Sequence, residues 1–332
     1  MLRSFAALPF RSLLRVVLLV ACVAAGFPAE GQLSWPSKPV HLVVANPPGA
    51  ITDVVARLYA DQLARAVGQP VIVENRPGAD GLIGAEAAAH SASDGYSFFV
   101  ASQSFVAIDP HTFKALPVDP ARDFVPVAVL VDTTPIAIGV AASVPAKTLP
   151  ELVALAKAQP GRLSYSVTVP ILAVVGEWLG KRAGIDMVQV LYRSTAQQMQ
   201  DAASGIVPIA ITALNTFEPM VKAGKVRVIA VTSPSRVPGW DNVPSIMETY
   251  PDLNVGGGLV LLAPTGAPGQ IIQRVNRETD AIVKGREFSQ RLKEWGWANL
   301  GGARSPGDVA EYMRTERDRW GRIVRELGIQ PK

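Results

Sequence analysis

The sequence predicts two α/β lobes, each a mainly parallel sheet flanked by helices, with two crossing strands joining them. Three observations predict this. Short apolar runs alternate with amphipathic segments between residues 40 and 101, a βαβαβ rhythm that places parallel strands beneath helices. The same alternation resumes between 149 and 232. Two further apolar runs, near 130–140 and 253–263, read as crossings between the lobes. One lobe is expected over 33–133 together with 258–332, and the other over 134–257. Such a layout opens a cleft where strand C-termini and helix N-termini converge.

The elements follow in order. Residues 40–45 are an apolar strand, and Pro47 and Pro48 end it because proline supplies no ladder donor. Gly49 then allows a tight turn. Val54, Val55, Leu58, Tyr59 and Leu63 recur at helical spacing, so 52–67 is a helix closed by Gly68. Thr52 or Asp53 is expected to cap it. A strand at 71–74, a glycine-punctuated turn at 76–84, a helix to about 90 and a strand at 96–101 complete the first set. Residues 109–126 are proline-rich and poorly periodic. In the second set, helices at 149–159, 174–183, 195–204 and 216–223 alternate with strands at 163–167, 187–191, 207–212 and 228–232. Helices at 268–284, 286–294 and 306–327 close the chain.

Residues 1–26 read as an export leader. Arg3, Arg11 and Arg15 precede the short apolar run 16–25, which ends in small residues; the run is too short for a membrane span. Cleavage after Ala25 or Gly26 is expected, giving a soluble periplasmic protein. Leu19-Val20-Ala21-Cys22 also fits a lipoprotein-type site, so anchoring through Cys22 stays open. The full chain carries 32 Lys+Arg against 28 Asp+Glu. Without the leader's three arginines 29 basic groups face 28 acidic ones, a net charge of +1, which provides no footprint for nucleic acid. Cys22 is the only cysteine, so the mature chain must rely on an apolar core rather than disulfides.

Little in the chain points to catalysis. His41, His90 and His111 have no metal-ligand spacing, and no nucleophile elbow or phosphate loop appears. Gly78-Ala79-Asp80-Gly81-Leu82-Ile83-Gly84 lacks the order of a nucleotide loop and reads as a turn that allows close helix packing. No cofactor, no metal and no catalytic residue is expected.

Several ordered motifs resemble the Bug family, the extracytoplasmic solute receptors of tripartite tricarboxylate transporters. They are Trp35-Pro36-Ser37-Lys38-Pro39-Val40, Gln69-Pro70-Val71-Ile72-Val73-Glu74-Asn75-Arg76-Pro77-Gly78-Ala79, Asp94-Gly95-Tyr96-Ser97 and Leu116-Pro117-Val118-Asp119-Pro120. Asp123-Phe124-Val125-Pro126-Val127, Val144-Pro145-Ala146-Lys147-Thr148, Lys222-Ala223-Gly224-Lys225-Val226-Arg227 and Ala263-Pro264-Thr265-Gly266 continue the series. The resemblance covers nearly everything after the leader. It implies a two-lobed periplasmic-binding-protein (Venus flytrap) fold that closes on a small carboxylate or amino-acid-like solute. It also implies a non-enzymatic monomer that delivers the solute to membrane transporter subunits; a periplasmic sensor signalling to a membrane histidine kinase is the alternative. The chain departs from the family pattern at Gly49-Ala50-Ile51, usually richer in glycine. It departs again at Ser166-Val167-Thr168-Val169-Pro170-Ile171-Leu172, usually polar with a histidine, and at Tyr192-Arg193-Ser194-Thr195 and Gly258-Leu259-Val260.

Candidate ligand-binding residues cluster where strands give way to helices. The resemblance places Gly49, Ala50, Ile51, Thr52 and Asp53 in the first ligand-binding loop, where unpaired amides and the helix dipole favour an anion. Ser102 and Ser104 follow the strand at 96–101, and Ser166 and Thr168 the strand at 163–167. Arg193, Ser194 and Thr195 are expected opposite, where Arg193 could face the anion or equally stand as a solvated surface group, and Asn215 is near the next helix start.

Overall fold

The computed structural model describes residues 35–331 apart from Thr133, Thr134, Val169, Asp252, Asn254, Gly296 and Leu300. The expected leader and its cleavage site lie outside the described residues. Lys38–Lys332 form one compact unit containing two five-stranded sheets.

The first sheet holds β1 (Val40–Val44), β2 (Val71–Asn75), β3 (Ser97–Ser102), β4 (Phe124–Val131) and β10 (Leu259–Pro264), in the order β2-β1-β3-β10-β4. β1 pairs parallel with both β2 and β3, whereas β10 runs antiparallel to β3 and to β4. The second sheet holds β5 (Ile136–Ala141), β6 (Ser164–Val167), β7 (Val188–Leu191), β8 (Ile209–Ala213) and β9 (Val226–Val231), ordered β7-β6-β8-β5-β9. Here β7, β6 and β8 are parallel, and β5 is antiparallel to its two neighbours. Each sheet therefore has four co-directional strands and one reversed strand, and the reversed strand is the one that continues a crossing.

Helices cover the sheets: α1 (Ile51–Val67), α2 (Leu82–Ala89), α3 (Gln103–Ala107), α4 (Asp109–Thr112), α5 (Leu149–Ala158), α6 (Pro170–Ala183), α7 (Thr195–Ser204) and α8 (Glu218–Lys222). α9 (Gly269–Lys284), α10 (Arg286–Glu294) and α11 (Pro306–Leu327) follow. Three differ from expectation. α6 begins at Pro170, well before residue 174, since proline's fixed φ suits a first helical turn. The poorly periodic stretch near 109 hides the short helices α3 and α4, too brief to show a helical period.

Apart from the more exposed edge strands β2 and β7, the strands are largely buried on both faces: Leu42, Val44, Leu130, Val140, Leu261 and Leu262 have no exposed surface, as expected beneath covering helices. Phe99, Phe105 and Phe124 meet at ring-centroid distances of 5.5–5.9 Å, and each such pair adds about 0.5–1.5 kcal/mol beyond area burial. Pro126 sits within β4, an edge strand, where a missing donor is tolerated. Ala298 and Ala303 meet that edge: Val129 and Asp132 donate backbone N–H groups to the Ala303 and Ala298 carbonyls.

Candidate functional site

The first wall of the site forms where β1 stops. Gly49 has φ +83°, the left-handed region that favours glycine, and Ala50 N–H closes the turn onto the Pro47 carbonyl at 3.1 Å. α1 starts at Ile51, and its N-cap, Ala50, makes no side-chain cap. The expected capping by Thr52 or Asp53 gives way to another device. Asp53, inside the first turn, reaches back and accepts the Gly49 N–H at 2.8 Å. The same carboxylate accepts from Arg57 Nε at 3.0 Å and from Asn75 Nδ2 at 2.8 Å. Asn75 also donates to the Asn46 carbonyl at 3.0 Å. Burial pushes the Asp53 carboxyl up, but the bonds from Arg57, Gly49 and Asn75 outweigh it and hold it below the usual aspartate range. The carboxylate is thus a buried brace for the loop, already committed on both oxygens.

This brace decides which donors are left. Gly49 and Ala50 amides are used inside the turn, and the first bond of the helical ladder runs from Val54 N–H to the Ala50 carbonyl. The amides of Ile51, Thr52 and Asp53 precede that ladder and lie at the positive end of α1. Thr52 is buried, Ala50 half-buried, and Gly49 and Ile51 exposed.

Next to β1, β3 carries Ser102 at its end with Ser104 just after it: Val44, the last residue of β1, pairs in parallel with Val100, and β3 continues two residues further. Ser102 caps α3 by accepting Phe105 N–H at 3.3 Å, and both serines are half-buried. Between them Gln103 is buried. Its N–H donates to the Gly258 carbonyl at 2.9 Å and its side chain to Glu316 Oε2 at 2.9 Å. From sequence Gln103 reads, like its serine neighbours, as a residue after a buried strand that could donate to a carboxylate or satisfy a turn; here its donors go to Gly258 and Glu316.

The second wall is built at the C-terminal ends of β6, β7 and β8. Parallel pairing aligns Val167 with Leu191, and Ser166 with Ala210, so Thr168, Arg193–Thr195 and Asn215 emerge at one end of the sheet. Arg193, Ser194, Thr195 and Asn215 are exposed, and Thr168 is half-buried. Ser194 is the N-cap of α7 without a side-chain bond. Asn215 and Thr216 lie within a 3-10 turn, Leu214–Phe217, and cap no helix. Ser166 is placed differently from the others. It is wholly buried and donates its hydroxyl to the Ile209 carbonyl at 3.0 Å, pinning β6 to β8. Gln198, unremarked from sequence, reinforces this seam by donating to the Ser166 and Ile211 carbonyls at 2.9 and 3.2 Å. Tyr192 donates to Asp201 at 2.7 Å, and burial together with that carboxylate pushes its phenol up to about 12.

The crossings run between these same ends of the two sheets. Leu259 pairs with both Ser102 and Val131 at the end of the first sheet. Pro135 bridges Gly256, and Ile136 pairs with Ala213 at the end of the second. Strand ends from both sheets therefore flank one pair of crossing segments. The groups carried at these strand ends are backbone amides, hydroxyls and the Arg193 guanidinium, each a donor of the kind an anion accepts from. Among the described residues no group of three or more His, Cys, Asp or Glu side chains could hold a metal ion. His41 is spent on Glu74 at 2.6 Å, and His111 lies 2.8 Å from the Arg317 carbonyl.

Comparison with known proteins assigns this architecture. A family model described as "Tripartite tricarboxylate transporter family receptor" matches residues 55–329. A UPF0065 protein of Bordetella bronchiseptica is 35% identical over 97% of this chain and 95% of its own. BugT of Bordetella pertussis is 27% identical, over 96% and 97%. A solved R. palustris protein, Rpa4515 with adipate, superposes with a TM-score of 0.74 at 30% identity, over 90% of this chain and all of that one. MatC from Rhodopseudomonas palustris with bound malate superposes with a TM-score of 0.68 at 26% identity, over 87% of this chain and 100% of its own. Two mixed sheets, their crossings and their covering helices are thus the two-lobed fold of periplasmic solute receptors, and the chain belongs to the tripartite tricarboxylate transporter receptor family.

Proposed function

We propose that the protein is an exported, non-enzymatic receptor that captures a small carboxylate between its two lobes and delivers it to a tripartite tricarboxylate-type membrane transporter. The lobes would comprise 33–133 with 258–332, and 134–257, following the division of strands between the sheets. The observation that supports this reading is that the start of α1 and the Arg193–Thr195 segment each emerge at the strand ends of their own sheet from which the crossings run. Solved relatives at 30% and 26% identity hold adipate and malate, which supports a dicarboxylate-sized ligand. In this reading one carboxylate lies against the start of α1, flanked by Ser102 and Ser104, and Arg193 approaches from the other lobe. Thr168, Ser194, Thr195 and Asn215 would line the remainder. Ser166 and the Asp53 carboxylate would act only by holding the walls in place.

Thermal-shift screening tests the reading, with adipate, malate, tricarboxylates, amino acids and nicotinate-like aromatics as probes. A ligand at a hundredfold excess over Kd adds about 2.7 kcal/mol to apparent stability. A shift with a neutral or cationic solute and with none of the acids overturns it. Arg193→Ala is expected to weaken carboxylate binding by about 1.5–3 kcal/mol, the worth of a hydrogen bond to a charged group.

A further inference from the structure

The longest helix has a place in the fold that ligand contact does not explain. The middle of α11 is fastened to the first-sheet half. Buried Glu316 accepts from Gln103 and pairs with Arg319, and the Arg317 carbonyl meets His111 at 2.8 Å. Trp320 is buried, and Gly321 admits the His111 ring so closely that a Cβ there would lie 2.7 Å from it. Through Gln103 the helix is also tied to the site, since that residue stands between Ser102 and Ser104 and donates its N–H to Gly258 on the returning crossing.

The last turn of α11 reaches the other half. Glu326 forms a two-pronged pair with Arg182, with Arg182 Nη1 at 3.0 Å from Oε1 and Nη2 at 3.3 Å from Oε2, and Lys181 donates to the Glu326 carbonyl. Lys181 and Arg182 lie in the last turn of α6, about 17 Å along that helix from its start at the strand ends. Arg182 also lies over the Trp178 ring at 5.7 Å. Both partners of the clasp are thus carried on helices packed into different sheets. In this conformation the second wall is open: Arg193, Ser194, Thr195 and Asn215 face solvent, and Ile51 of the first wall is 39% exposed.

We infer that the Arg182–Glu326 clasp holds the lobes in this open-walled conformation and has to part when they swing together. The inference rests on the reading of the two halves as closing lobes, and it adds a built-in resistance to closure. Rotation about the crossings moves α6 as a body with the second sheet. α11 stays with the first, pinned at Gln103 and His111, so a bidentate contact this far from the strand ends does not survive a hinge motion. An interaction present in one state only shifts the population by its own free energy. Each side chain of the clasp is about one-third exposed, at 34% and 30%, so its effect is that of a screened pair, about 1.5- to fivefold in the open-to-closed ratio.

The test needs no ligand. Cys22 is the only cysteine, so in the full chain with Cys22→Ser, nitroxide labels on Ile72→Cys and Val188→Cys report the lobe separation by pulsed electron resonance. Both positions are exposed and sit on edge strands, one in each sheet. Arg182→Glu should enlarge the population with altered separation by about 1.5- to fivefold or more, and adding Glu326→Arg should restore the parent distribution. Glu326→Gln serves as the milder variant if Arg182→Glu fails to fold. Unchanged distributions in folded variants overturn the clasp, as does a change that the charge swap fails to reverse. A lowered melting temperature with an unchanged distribution also overturns it, because it marks the pair as local packing. Absence of any carboxylate-induced thermal shift would instead count against the ligand reading and leave these distances interpretable.

Discussion

Replacing Asp53 by alanine is the sharpest probe of how the first wall is made. The carboxylate side chain is 3% exposed and accepts from the Gly49 amide, Arg57 and Asn75. Bonds to a charged acceptor are worth about 1.5–3 kcal/mol each, so the Gly49 and Asn75 contacts together account for about 3 kcal/mol at the lower end. Arg57 is 51% exposed, and solvent screening reduces its share to about 0.5 kcal/mol. Asn75 keeps its bond to the Asn46 carbonyl, which limits the damage to the loop side. The expected loss is therefore about 3–4 kcal/mol, or about 5–6 °C in Tm at about 2.1 cal/mol/K of unfolding entropy per residue over roughly 300 residues. Urea unfolding measures it, with Asp53→Asn as the control that keeps the shape and removes the charge. Asp53→Asn should fall between wild type and alanine. A loss below about 1 kcal/mol in Asp53→Ala would refute the bracing role, and so would alanine and asparagine variants of equal stability.

Three further outcomes follow from the same geometry. Gly49→Val meets no atom within 4 Å of its new Cβ, so its cost is conformational only, about 1–2 kcal/mol for a β-branched residue at positive φ; calorimetry should show weakened carboxylate binding as the turn shifts. Gly139→Ala is expected to cost about 1–3 kcal/mol by overpacking, since its Cβ would stand 2.2 Å from the buried Phe217 ring, and urea unfolding would read it. Asp53, whose folded pKa is depressed, contributes stability fully present above the ordinary aspartate pKa and lost as pH falls through the lowered folded value; unfolding curves taken from neutral to strongly acidic pH should lose that component in Asp53→Asn.

Much of the architecture was legible in the chain because it is local. The passage from Val44 through Pro47, Pro48 and Gly49 into a helix follows from proline's missing donor and glycine's positive φ, and the structure has both features. Helical spacing from Val54 to Leu63 yielded α1 to within one residue at its start. Side-chain direction was less legible. Ser166 reads as a polar residue at a strand end, yet β6 is buried through Tyr165, Ser166 and Val167 alike. A strand covered on both faces shows no alternation from which to tell a cleft-facing hydroxyl from a buried one.

The sequence by itself determined the alternation of strands and helices, the turn at Gly49, the near-neutral charge beyond the basic first 26 residues, and through its ordered motifs the family. Each of these rests on neighbours in the chain or on composition. Only the tertiary structure decided that β5 and β10 run against their neighbours, that Asp53 braces the loop rather than caps the helix, that Gln103 joins the site to α11, and that Glu326 meets Arg182. Those contacts join residues between 4 and 213 positions apart, and which partner a carboxylate or an amide finds is settled by burial and register, quantities that exist only once the sheets have packed.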